Sequence, residues 1–474
     1  MLRIRKRLNA IIHHGRSSGH QPEILRTRTR HRPLLPRCLC GVCLVFRVCS
    51  KLFNYYRPTC TYLARGSCSC FNVSTICSFA AFARRMAAFV EYDGCNFLRQ
   101  RLMLATLSSK AVRISNIRAH EDNPGLREFE ASYIRLLDKL TNGATIKINE
   151  TGSVLTYIPG IILGGRVEHD CNDERGIGYY LEGVMALAPF SKVPFHLTLR
   201  GVTNNNKDPS VDFIRVSTLP LLRRFVAGEG LELKVKKRGV PPMGGGEVIY
   251  VCPTLRVVRP LQLSDGGKIK RIRGTAFTVR VAPALANRIV DAARNVLNKV
   301  IPDVYIYTDH FKGVDAGKSP GFGLCLVAES TTGVMLAVDQ TANEKSDSQD
   351  HSLPEELGQK TAMMLLDEIW RGGCVDSRNQ TLALLFMALG QRDVSQIVIG
   401  ELTTYTVEFL RHLRDFFQIV YRIQPHHTKQ QSASKSGPEE VEENSEDEEV
   451  AETGPKYLMS CVGAGYTNLS KAIL

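Results

Sequence analysis

The chain of 474 residues has no apolar run near the eighteen or so residues that a membrane-spanning helix needs. No two Cys-x2-Cys elements are paired, and the 12 histidines fall into no metal-ligand spacing. No Ser/His/Asp or Cys/His arrangement marks a nucleophile. No RNP-type aromatic motif is present, which leaves base stacking of the RRM kind without support. Gly313-Val-Asp-Ala-Gly317-Lys318-Ser319 comes near a phosphate loop, but it is one residue short and Pro320-Gly321 follows where a helix should begin. It reads as a plain loop. His169-Asp170 with Asp173-Glu174 reads as a solvated polar cluster on a loop. His13-His14 and His426-His427 lie in segments expected to lack structure. No metal and no cofactor is expected.

Acids are almost missing from the first 85 residues, which hold 16 Lys/Arg and one acid, Glu23. Most of the formal charge of +14 therefore belongs to this leader. Residues 439–452 carry nine acids and no base, and residues 86–438 are mildly basic, with 43 Lys/Arg against 37 acids. Such a balance suits contact with RNA phosphates and equally suits an ordinary enzyme. The acidic run reads as a solubilising extension or as a dock for a basic partner. Eight of the 14 cysteines precede residue 85; Cys95, Cys171, Cys252, Cys325, Cys374 and Cys461 are scattered, as free thiols in a reducing compartment would be.

Residues 1–85 have three readings: an organellar presequence, a zinc module using Cys38, Cys40, Cys43, Cys68 and Cys70, or a translated leader ahead of Met86. The leader reading is favoured, and the segment is expected to be unstructured. From Met86 onward helices alternate with strand pairs. Helices are predicted over Phe97–Leu107, Glu128–Leu140, Tyr179–Phe190, Asp212–Val226, Ala284–Val300, Pro354–Arg371, Asn379–Leu389 and Tyr405–Phe416. Strands are predicted over Val112–Ile117, Ala144–Ile148, Val154–Ile158, Gly160–Val167, His196–Arg200, Leu231–Lys236, Thr275–Val281, Val304–Thr308, Gly323–Ala328, Gly333–Val338 and Phe417–Ile423. This pattern argues an α/β (α+β) architecture with sheets covered on one face, and its recurrence hints at an internal repeat. The expected organisation is a large domain over 86–270 and 373–423, joined by 456–474. A smaller α/β domain is inserted at 271–372, Thr341–Ser352 is a linker, and 424–455 is disordered.

Gly244-Gly245-Gly246 frees the backbone either to approach an anion or to let chain segments pass closely. The basic candidates are Arg99, Arg101, Arg113, Arg118, Arg127, Lys234, Lys236, Lys237, Arg238, Lys268, Lys270, Arg271 and Arg273. Each is a phosphate ligand or a solubilising surface group.

Ten markers stand in order: YDG (92–94), LRQR (98–101), IRAHEDNPGL (117–126), NNNKDPSVDFIR (204–215), RGVPPMGGGE (238–247), KIKRIRGTAF (268–277), PGFG (320–323), EELG (355–358), NQTLALLFMALG (379–390) and ELTTYTVEFLRHL (401–413). Together they resemble the RNA 3′-terminal phosphate cyclase family, over about Ala88–Ile423 and the final segment. The resemblance implies a large domain of repeated helix-plus-four-strand units with a smaller inserted domain. It also implies a reaction in which a histidine takes AMP from ATP and passes it to an RNA 3′-phosphate.

Three departures sit at the nucleotide end. The family's glycine-rich run after Asp-Gly is absent, Asn379-Gln380 replaces Asp-Gln, and Glu401 stands where the histidine belongs. The pattern is therefore similar to the non-catalytic branch of the family. For that branch the resemblance implies nucleolar factors in small-subunit (18S) pre-rRNA processing and 40S biogenesis, bound to pre-ribosomal RNA, the U3-containing processome and its GTPase, with no membrane. Candidate RNA or anion ligands on this reading are Arg99, Arg118, Arg127, Lys236, Lys237, Arg238 and Gly244 to Gly246. Two alternatives stay open: an RNA endonuclease using Asp376, Arg392 and Asp393, and an active cyclase.

Overall fold

The computed structural model describes residues 89–226, 228–342, 353–426 and 454–469. The expectations for residues 1–85, for His427 and for the acidic run lie outside the described residues. In chain order the first unit is β1 (Val90–Asp93), α1 (Leu98–Ser108), β2 (Val112–Ser115), α2 (Glu128–Leu140), the short β3 (Thr141–Asn142), β4 (Thr145–Ile148) and β5 (Leu155–Ile158). The short β6 (Ile161–Ile162) pairs with β3. The second unit is β7 (Gly165–Asp170), α3 (Ile177–Leu187), β8 (Phe195–Gly201), α4, β9 (Glu232–Lys237) and β10 (Gly246–Cys252). Here α4 is one run of helix in three segments: Val211–Phe213, a π-helical turn Ile214–Thr218, and Leu219–Phe225.

The third unit begins with β11 (Gln262–Leu263) and is then interrupted. The interruption contains β12 (Ile269–Val279), α5 (Ala284–Leu297), β13 (Val304–Phe311), β14 (Gly321–Ser330), β15 (Met335–Thr341) and α6 (Pro354–Arg371). The unit resumes with α7 (Gln380–Leu389), β16 (Val394–Ile399), α8 (Thr404–Phe417), β17 (Arg422–Pro425) and β18 (Tyr457–Val462).

Three sheets share one topology: β1-β2-β5-β4, β7-β8-β10-β9 and β11-β16-β18-β17. Each has a parallel first pair, and its other two pairings are antiparallel. The repeat suggested by the sequence pattern is thus present as strand order and sense. The interrupting sheet differs, with order β13-β12-β14-β15. Helices α5 and α6 pack on each other and on that sheet.

The crossover helices α3 and α7 are apolar nearly all round, which fits a helix buried on every side, whereas α1 also buries Gln100 and Arg101. All ten residues of α7 are buried, and α3 exposes only part of Glu182. α1 packs against α3 and α8, and α7 against α3, α4 and α8. The amphipathic α2 and α5 bury one face each, as their spacing predicts.

Local corrections concern boundaries. His169-Asp170 is not on a loop: it ends β7, and His169 is buried with its Nε2 2.9 Å from Ser132 Oγ. Burial first, then Lys139, holds the His169 imidazole down at about 4. The strand expected over Phe417–Ile423 begins only at Arg422, because the helix α8 continues to Phe417 and ends on left-handed Gln418. Gln424 and Pro425 belong to β17, and the final segment enters the sheet as β18 between β16 and β17.

Candidate functional site

The cleft lies where α1, α3, α7 and α8 meet, next to the loop between β16 and α8. Thr403 caps α8 by accepting from the Thr406 amide at 3.1 Å. Gln380, in the first turn of α7, fixes the same loop: its Nε2 donates to the Glu401 carbonyl at 3.0 Å, and its Oε1 accepts from Thr406 Oγ1 at 2.8 Å. The Glu401 side chain is on the exposed side of this loop.

Arg99 of α1 donates to the Glu182 carboxylate, to the Tyr405 hydroxyl at 2.9 Å and to the Tyr179 carbonyl at 3.0 Å. Tyr405 in turn donates to Glu182 Oε1 at 3.0 Å. Burial pushes the Tyr405 hydroxyl up to about 12, so it stays protonated and donates. The Tyr179 ring has the Arg99 guanidinium 4.5 Å from its centroid and that of Arg175 at 4.4 Å. Arg175 is held by Asp208 at 2.5 and 2.9 Å. Arg99, Glu182, Tyr405, Thr381, Leu382 and Phe409 border a narrow cavity of about 20 Å³, space on the scale of one water.

Asn379 precedes α7 and is buried. Its Oδ1 accepts from Thr218 at 2.9 Å, and its Nδ2 donates to Ser217 at 3.0 Å and to Asp376 at 3.1 Å. Asp376 also accepts from Ser217 Oγ and from the Asn379 amide at 2.9 Å. Burial outweighs these hydrogen bonds and raises the Asp376 carboxyl to about 6.

One histidine does approach an arginine beside the cleft. His412 of α8 faces Arg101 Nε at 3.5 Å, with its Nδ1 3.2 Å from Gln100 Oε1. It is 3 % exposed, packed between the Tyr92 and Phe97 rings, and held at about 4 by burial and then by Arg101. It is a neutral core group and does not line the cavity.

The expected ligands do not converge. Arg118 is taken by Glu130 through two bonds of 2.7 and 2.8 Å, and Arg127 by Glu121 at 2.8 Å. Lys236 and Lys237 are on the edge strand β9, Lys236 lying 3.7 Å from Glu247. Arg238 is corrected outright as a surface ligand. It is 1 % exposed, bonds Asp212 through both terminal nitrogens, and stacks on Phe277 and Phe311. Burial alone would raise the Asp212 carboxyl, but Arg238 holds it at about 2.

Gly244 to Gly246 serve close passage of chain segments. A Cβ on Gly244 would meet Asp173 Oδ1 at 2.6 Å and one on Gly246 would meet Thr203 at 2.5 Å. The nuclease candidates are also apart: Asp376 precedes α7 and exposed Arg392 and Asp393 follow it, so about 15 Å of helix separates them. Among the described residues no group of three or more His, Cys, Asp or Glu could hold a metal ion.

Sequence reasoning missed Glu182, Tyr405, Arg175 and Asp208. Glu182 had a signal: it is the one acid in the otherwise apolar helix IGYYLEGVMAL, and a lone acid there calls for a buried cation.

A family model described as RNA 3′-terminal phosphate cyclase matches residues 90–423. The RNA 3′-terminal phosphate cyclase-like protein of Homo sapiens is 56% identical over 385 residues, covering 81% of this chain and 98% of that protein. The probable RNA 3′-terminal phosphate cyclase-like protein of Drosophila melanogaster is 51% identical over 389 residues, covering 81% and 97%. The rRNA processing protein rcl1 of Schizosaccharomyces pombe is 42% identical over 387 residues, covering 81% and 98%.

Proposed function

Because the chain belongs to the RNA 3′-terminal phosphate cyclase family, we propose that it keeps that family's fold without the reaction and acts as a non-catalytic factor in ribosomal RNA processing. The observation that carries the reading is Glu401. The loop between β16 and α8 that should present a nucleophilic imidazole carries the exposed carboxylate of Glu401, and Gln380 fixes that loop through the Glu401 backbone carbonyl. A carboxylate forms no phosphoramidate with AMP. The S. pombe relative named as an rRNA processing protein supports the same reading.

In finer terms, the protein binds pre-ribosomal RNA of the small subunit in the nucleolus, within the U3-containing processome and beside its GTPase, during 18S maturation and 40S assembly. The endonuclease alternative is less well supported, since Asp376 and Asp393 are at opposite ends of α7.

The test is adenylylation. Full-length protein is incubated with α-labelled ATP and an RNA ending in a 3′-phosphate. The expected result is no protein-bound AMP and no cyclised RNA end, with RNA still retained by the protein. A covalent AMP adduct on the wild-type chain would overturn the reading.

A further inference from the structure

The interrupting sheet has a face that α4 covers only in part. Register sets two rows across it: Tyr307, Thr275, Cys325 and Asp339; and Tyr305, Arg273, Val327 and Ala337. At the β14 and β15 end of these rows Cys325, Val327, Ala337 and Asp339 are buried. At the β13 end Tyr305 and Tyr307 are 55% and 56% exposed, with ring centroids 4.6 Å apart. Between the two ends opens a cavity of about 120 Å³, bordered by Val216 and Asp212 of α4, Arg273, Gly274 and Thr275 of β12, Tyr307, Cys325 and Val327. It is far roomier than the 20 Å³ beside Arg99. Val216 lies within the π-helical turn of α4, a local irregularity of a kind frequent at functional sites.

The cations here are not locked inside the protein. Arg273 pairs with Asp303 at 2.8 Å across a surface where Asp303 is half exposed. Arg271 pairs with Glu329 at 2.6 Å, Arg215 is 43% exposed, and Lys270 is exposed. Surface pairs of this kind are worth little, so a phosphate exchanges with the carboxylate at small cost.

We propose that this face is a binding site for single-stranded RNA. One unpaired base enters the slot at Tyr307 and stacks on its ring, Tyr305 carries a neighbouring base, and Arg273, Arg271 and Arg215 take the phosphates. Aromatic rings beside arginines on a sheet face, next to a base-sized opening, are the elements of such recognition. The absence of an RNP motif concealed it, because here the rings alternate along the edge strand β13. The proposal rests on the RNA-binding reading and locates it on the molecule.

The test uses the full-length chain and a fluorescein-labelled single-stranded RNA oligonucleotide, read by anisotropy over a salt series. Tyr307→Ala is expected to weaken binding about tenfold or more, and Tyr307→Phe to restore it. Arg273→Gln is expected to lower the salt slope by about one, whereas Tyr307→Ala leaves the slope unchanged. Tyr307 is exposed and Arg273 is partly buried at the surface, and matching melting curves will show that the variants fold. If wild type binds and all three variants bind equally, this site is wrong while the RNA reading stands. If wild type binds no RNA, that reading fails and the site with it. If the substitutions spare RNA but abolish binding of a protein from the same assembly, the face is a protein dock and the proposal is overturned.

Discussion

Two sets of arginines, at the cleft and on the interrupting sheet, differ in what they are free to do. Around the cleft and the β9 end, Arg99, Arg118, Arg175 and Arg238 are each committed to a carboxylate, and Arg99, Arg175 and Arg238 also to aromatic rings. On the interrupting sheet, Arg271 and Arg273 form pairs open to water beside two exposed tyrosines, and Arg215, though 3.5 Å from the buried Asp212, is itself 43% exposed. The same residue type is structural in one place and available in the other. Family resemblance points to Arg99, Arg118 and Arg238 of the first set, and exposure points to the second.

The largest effect that would sharpen this contrast is at Arg238. Arg238→Met leaves the Asp212 carboxylate buried without its partner, and the expected loss is about 3–5 kcal/mol in a urea unfolding midpoint. Arg238→Met with Asp212→Leu should recover a large part of it. Next comes Arg99→Ala, expected to cost about 2 kcal/mol because three hydrogen bonds to a charged donor are lost. The variant should still bind RNA, whereas a cleft arginine reserved for phosphate would lose affinity and cost little stability.

A smaller effect separates the two buried carboxyls by pH. Asp376 has its carboxyl raised to about 6, so the folded state holds a proton that the unfolded state releases near 3.8. Stability is therefore lost as pH rises from about 4 to 6 and stays lower above it. Asp376→Asn should raise the melting temperature at pH 7, by about 1–2 kcal/mol of stability, and make little difference below pH 4. Asp212 runs the other way. Its carboxyl is held at about 2, so its contribution is present above 3.8 and is lost as pH falls towards 2. The smallest effect is on the open face, where Arg273→Gln should move stability by no more than about 0.5 kcal/mol. A large loss there would place Arg273 with the structural set.

Much of the architecture was legible because periodicity records burial. Glu128–Leu140 and Ala284–Leu297 show their apolar stripes in sequence and bury those faces in the fold. The ordered markers carried the family, and resemblance alone singled out Asn379 and Glu401, which adjoin Gln380 and its loop without bordering the cavity. What stayed hidden is pairing at long range. Arg238 sits 26 residues from Asp212 and more than 30 from Phe277, and nothing local reveals that they meet in the core. His169 was misplaced because its neighbours in Gly165–Asp170 are polar on the solvent side of β7, so the one buried imidazole looked like part of a charged loop. Tyr305 and Tyr307 alternate with buried Val304 and Ile306, which the sequence does show. That their face stays open depends on how far α4 reaches across the sheet, and only the fold decides that.

The central claim is that a cyclase fold without its imidazole holds small-subunit precursor RNA. Its most direct test is ultraviolet crosslinking of the full-length protein in living cells, followed by sequencing of the attached RNA. The account predicts reads concentrated in the precursor of the small-subunit ribosomal RNA. Recovery of diverse RNAs crosslinked at their 3′ ends, with ribosomal precursors no more frequent than their abundance, would contradict it.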